Sequence, residues 1–190
     1  MIHRTVCWVG MLALVLVAPA AAQTDIPSFD PAHPRESFDA MTQYLAHDGG
    51  RWKAENPNHD PAVPRSPSHF GLWFDHVLER QILEVRIAVY YGDSAFVGSQ
   101  GYWMWHPGKT ALTYVLASAN GGVYEGTTEF TDVHTFTTIA TLYSRESNVT
   151  YKDDNVLVSF GTHRNVSYRR GDDGQWVAQD TFEWKRITDG

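Results

Sequence analysis

Cysteine is almost missing: Cys7 is the only one in the chain, and it falls inside an N-terminal leader. Beyond that leader no disulfide, thiol nucleophile or cysteine metal ligand can form. Positive charge is also short. With 15 Lys and Arg against 22 Asp and Glu, the formal charge is −7, which argues against a nucleic-acid partner or an anionic lipid surface. Charged residues make up 19% of the chain, too few for a coiled coil or a charged tail. No Gly-x-Ser-x-Gly, P-loop or Gly-x-Gly-x-x-Gly pattern occurs, so the common nucleophile and nucleotide signatures are absent. Eight histidines follow the leader, but none are spaced as in His-Glu-x-x-His. The sequence therefore leads us to expect no metal and no cofactor. Long apolar runs are lacking too. The one in the leader, Val6 to Val17, is broken at Pro19, short of the ~20 residues a membrane-spanning helix requires. No integral membrane segment is expected in the mature chain.

The chain does contain a leader, one helix and many strands. Met1 to Arg4 is a short positive start, and Ala20-Ala21-Ala22 places small residues before Gln23. Residues 1–22 thus read as a signal peptide cleaved near Ala22-Gln23. Export with no disulfide to form fits a bacterial periplasm or the medium. Residues 23–33 are Pro-rich and read as a loose arm, and 34–190 read as a single domain. Pro34 can open a helix over 34–48 in which Phe38, Met41 and Leu45 recur at helical spacing before Gly49-Gly50 ends it. From Arg51 onward the period is two. Strand-like segments alternate with turn residues such as Pro107-Gly108-Lys109, Asn120-Gly121-Gly122 and Asp153-Asp154-Asn155. Hydrophobics at 43% and aromatics at 13% supply a core. Sequential strands on short loops imply antiparallel neighbours, and an open meander of that many strands would expose its edges. The expected fold class is all-β: an antiparallel up-and-down closed barrel of about eight to ten strands, with the short N-terminal helix across one end.

Gly50-Arg51-Trp52, following a helix and opening the first strand, resembles the Gly-x-Trp start of lipocalin-like, or calycin-type, barrels. The closing segment Phe182-Glu183-Trp184-Lys185-Arg186 offers a basic residue to lie over the Trp52 ring, as a late arginine does in those proteins. With Gly174-Gln175-Trp176 near its end, the mature chain also resembles a group of exported bacterial barrels of unassigned function. The resemblance implies structural roles for Gly50, Trp52 and Arg186, and a central cavity of the kind that often holds apolar ligands. One calycin branch binds haem through a histidine on the final strand; Gln175–Ile187 has none.

Alternation assigns faces. Leu83, Val85, Ile87 and Val89 form one inner row. Phe70, Leu72 and Phe74 form another, which carries His76 inward. A Thr135, Thr137, Thr141 stripe is expected outside, turning His134 in. The last strand places Trp176, Ala178, Asp180, Phe182 and Trp184 on its inner row. Tyr102, Tyr114 and Tyr124 fall on inner rows by the same rule. The candidate ligand-binding set is therefore His76, Tyr102, Tyr114, Tyr124, His134, Asp180, Phe74 and Trp184. The sequence supports an exported binding protein for a small, mostly apolar ligand. Two alternatives stand beside it: a barrel-cavity enzyme of isomerase, cyclase or dehydratase type using an interior His or Asp as acid or base, and a packed structural barrel.

Overall fold

The computed structural model describes residues 25–187, so the leader and its cleavage point lie outside the described residues. Pro34 needs no amide partner at a helix start and opens α1 (Pro34–Leu45). The helix is shorter than the 34–48 expected. After Leu45 the chain tightens into a 3₁₀ turn over His47–Gly50, within which Asp48 and Gly49 take positive φ. Gly50 is required where it stands: its φ is +62°, and a Cβ there would sit 2.1 Å from the Phe74 carbonyl oxygen.

Ten strands follow: β1 (Arg51–Glu55), β2 (His69–Val77), β3 (Ile82–Tyr91), β4 (Ser94–His106), β5 (Ala111–Ser118), β6 (Val123–Asp132), β7 (Thr135–Tyr143), β8 (Asn148–Ser159), β9 (Thr162–Arg170) and β10 (Trp176–Arg186). Each pairs antiparallel with the next, and β1 closes on β10 through Trp52↔Arg186 and Lys53↔Lys185. The closed up-and-down barrel is the expected fold. No helix among the described residues is long and apolar enough to cross a membrane.

β8 departs from the sequence reading. Asp153-Asp154-Asn155 has the composition of a turn, yet it runs through the middle of a twelve-residue strand, and the turn lies at Phe160-Gly161. These residues pair on both sides, Asp153 with Thr138 and Ser167, Asn155 with Phe136 and Asn165. Ladder bonds and interior polar partners override the local preference for a turn. β10 departs as well. A register shift between Ala178 and Thr181 reverses the faces. Phe182 and Trp184 point in as expected, whereas Trp176 lies opposite Arg170 on the outside, under Lys152 and Arg170.

α1 covers one end of the barrel, with Phe38, Met41 and Leu45 wholly buried, each contributing about 1.5–3 kcal/mol of hydrophobic burial. The preceding arm is pinned rather than loose over residues 27–30. Phe29 is buried against the Phe130 ring at 4.8 Å, its N–H donates to the Val133 carbonyl, and Ser37 bonds both backbone groups of Asp30.

Helix, first strand and last strand meet at Arg186. Its guanidinium donates to the carbonyls of His47 (2.6 Å), Tyr44 (2.8 Å) and Phe160 (3.2 Å). It also lies 4.2 Å from the centre of the Trp52 ring. Trp52 is fully buried and donates its indole N–H to the Leu45 carbonyl at 2.9 Å. One cation thus bonds carbonyls at the end of α1, in the 3₁₀ turn and in the β8–β9 turn. We expect Arg186→Ala to cost about 3 kcal/mol in urea denaturation, because it removes three charge-assisted hydrogen bonds and uncovers Trp52. Arg186→Lys should recover less than half, since an ammonium lacks the planar fork. An unchanged urea midpoint for Arg186→Ala would remove the clamp from the account of stability.

Candidate functional site

Inside the barrel lies a cavity of about 270 Å³, near the lower end of the roughly 300–1,000 Å³ usual for small-molecule sites. Its floor, toward α1, includes Leu45, Phe74 and Phe136; Leu72, Val85 and Ile87 form an apolar wall. Toward the far end Phe70 and Phe182 meet edge to face at 5.6 Å, and Tyr124 lies 6.1 Å from Tyr151.

The opposite wall is polar and comes from β8 and β9. Asp153 and Asn155 alternate inward on β8; His163, Asn165 and Ser167 do so on β9. They form one connected network. Asn155 donates its side-chain N–H to the Asp153 carbonyl (2.9 Å), which fixes its amide orientation and turns its Oδ1 toward His163 Nε2 at 2.9 Å. His163 must therefore carry its proton on Nε2. The Asp153 Oδ1 atom accepts from Asn165 Nδ2 (3.2 Å) and from the Ser167 hydroxyl. Trp184 Nε1 donates to Asn165 Oδ1 at 3.0 Å. A smaller chain, Trp103 Nε1 to Thr128 and Thr128 to Thr138, stands beside it.

Burial sets the charge states. His163 is pushed down to about 3, which leaves a neutral imidazole near pH 7. Its Nδ1 is buried with no hydrogen-bond partner among the described residues. Burial raises the Asp153 carboxyl, and the bonds from Ser167 and Asn165 pull it partly back. Burial likewise raises the Tyr114 phenol, with Asp153 adding to the shift.

Three of the eight residues expected from the sequence, Phe74, Tyr114 and Trp184, line this cavity. Tyr124 is on an inner row but sits at the far mouth, against Tyr151. Tyr102 faces out, 38% exposed beside Val115; its neighbour Trp103 takes the inward place. His134 is not in a strand: it lies in the turn before β7, and its Nδ1 bonds the Pro27 carbonyl, tethering the arm. Asp180 sits in the β10 irregularity and accepts from Asn58 at 2.8 Å on the exterior. His76 stays on the inner row of β2, but at the helix end, outside the cavity lining. Gly50, Trp52 and Arg186 hold the covered end together, as described above.

The polar wall went unread because Asp153-Asp154-Asn155 looks like a turn. A signal was present all the same: His163-x-Asn165-x-Ser167 is a period-two row of polar groups, with Val166 and Tyr168 on the other face. Among the described residues, no three His, Cys, Asp or Glu side chains cluster as a metal site would require. Compared with known proteins, the chain matches no family model, and no curated protein matches it by sequence.

The His163 environment makes stability depend on pH with a definite sign. Its folded pKa lies below the unfolded 6.5, so the unfolded chain binds more protons between the two values. Stability should fall as pH drops below 6.5, by up to about 1.4 kcal/mol per pH unit from this group. Asp153, raised in the fold, works in the opposite sense. It destabilises once pH rises above 3.8 and so moderates the acid loss. His163→Gln, which keeps a donor toward Asn155, should flatten the fall in thermal midpoint between pH 6.5 and 4. A variant as acid-sensitive as the parent would show that the imidazole is not the group responsible.

Proposed function

We propose that this chain is an exported binding protein of lipocalin-like build that holds a small, mostly apolar ligand in the barrel cavity. One observation carries the reading: the interior holds a cavity with an apolar wall facing a preformed polar one, the usual make-up of a small-molecule site. The lipocalin-like part rests on Gly50-Arg51-Trp52 and on Arg186 lying over the Trp52 ring. Export rests on the pattern of residues 1–22 and implies a mature protein beginning at Gln23 in the periplasm or medium. A packed structural barrel fits less well, because its centre would be filled by side chains.

A barrel-cavity enzyme is the second reading, and the Asp153 carboxyl favours it. A buried carboxyl with a raised pKa beside a tyrosine is the kind of group that general acid–base catalysis uses. Turnover of a bound compound, lost in Asp153→Asn, would make that reading the correct one.

Native mass spectrometry of the full chain purified from its own host should show a bound small molecule beside the apo mass. Leu72→Trp, which fills the apolar wall, should abolish the adduct and leave the far-UV circular dichroism unchanged. An adduct that persists in Leu72→Trp would place the ligand elsewhere. No adduct and no uptake of added apolar compounds would end the binding reading.

A further inference from the structure

The cavity's hydrogen-bonding inventory is one-sided. On the polar wall the Nε2–H of His163 is committed to Asn155, the hydroxyl of Ser167 and the side-chain N–H of Asn165 to Asp153, and the indole N–H of Trp184 to Asn165. The indole N–H of Trp103 is committed to Thr128. On the acceptor side, both contacts to Asp153 fall on Oδ1, and Oδ2 has no partner among the described residues. The charge balance is one-sided as well. Among the described residues no lysine or arginine lines the cavity, and Asp153 is the only acidic one that does. Arg169, the next residue of the His163-Asn165-Ser167 row, is exposed at the mouth. With Asp153 ionised, little remains to donate beyond the neutral hydroxyls of Tyr114 and Thr138.

A carboxylate buried without a counter-charge is costly, which is what raises the Asp153 carboxyl, and a ligand cation is the group that removes the cost while keeping it ionised. A ligand carboxylate would add a second anion with nothing to neutralise either. The aromatic lining points the same way, because the faces of Trp103, Tyr114, Phe182 and Trp184 can stabilise a cation they surround. We infer that the cavity selects a small amine, its ammonium donating to Asp153 Oδ2 and its apolar body lying against Leu72, Val85 and Ile87. The inference rests on the binding reading above and narrows it: of the polar groups that a greasy ligand can carry, a donor cation fits and a carboxylate does not.

Three probes with one aromatic body separate the cases: 2-phenylethylamine, 2-phenylethanol and phenylacetate, titrated calorimetrically into the full chain at neutral pH. The amine should bind at least about tenfold tighter than the alcohol, and phenylacetate weakest of the three. Asp153→Asn keeps an oxygen for Ser167 and Asn165; it should lose the amine preference about tenfold and hold the alcohol within about threefold. Binding of the alcohol with no preference for the amine, or phenylacetate matching the amine, would overturn the inference and leave the binding reading standing. If none of the three binds, the inference falls, and the adduct seen in native mass spectrometry decides the binding reading. Should Asp153→Asn not fold, the wild-type order of the three probes decides alone.

Discussion

The guanidinium of Arg186 is the interaction on which the rest of the barrel depends. A closed sheet needs a first strand and a last strand that find each other, and here β1 is five residues long and shares two ladder pairs with β10. So short a seam gives few hydrogen bonds. Arg186 reinforces it from the side by binding the end of α1, the 3₁₀ turn and the β8–β9 turn while covering Trp52. Burial makes the cation expensive, lowering its pKa, and the carbonyl bonds and ring faces offset that cost. The same residue thus ties the closing seam of the barrel to the helix that covers its end.

With one end sealed, the interior becomes a place where polar groups have to be reconciled internally. The Asp153–Asn155–His163–Asn165–Ser167 network shows how this is done, each amide or hydroxyl spending its donors on a neighbour within β8 and β9 or across their ladder. What survives that pairing defines the chemistry of the cavity. The histidine is neutral, the carboxyl keeps one oxygen unpaired, and the surrounding surface is aromatic and aliphatic. Such a space discriminates by charge and donor capacity more than by shape.

The β8 strand also shows why local sequence reading has a limit. Asp-Asp-Asn favours a turn when side chains bond their own backbone. Flanked by β7 and β9, the same residues find ladder partners on both sides, and Asp154 bonds Thr137 and Lys152 on the outer face. The β10 irregularity has a similar lesson: a shift of register moves Trp176 to the outer face while Trp184 stays inside.

Read alone, the sequence determined much about this protein. Period-two alternation after Arg51, hairpin turns and a single amphipathic helix were enough for an antiparallel closed barrel with one covered end. Gly50-Arg51-Trp52 with Arg186 was enough to locate that cover. Phe74, Tyr114 and Trp184 were legible as cavity residues because bulky side chains on an inner row have nowhere else to go. Tyr102, His134 and Asp180 were misplaced because each lies near a bulge, a turn or a register shift, where alternation stops reporting the face. Tertiary structure alone decided which polar residues share the interior. Asp153 and Ser167, like Asn155 and His163, are separated by a turn in the chain and meet only through the β8–β9 register, and the protonation of Asp153 and His163 is set by burial that no local pattern encodes.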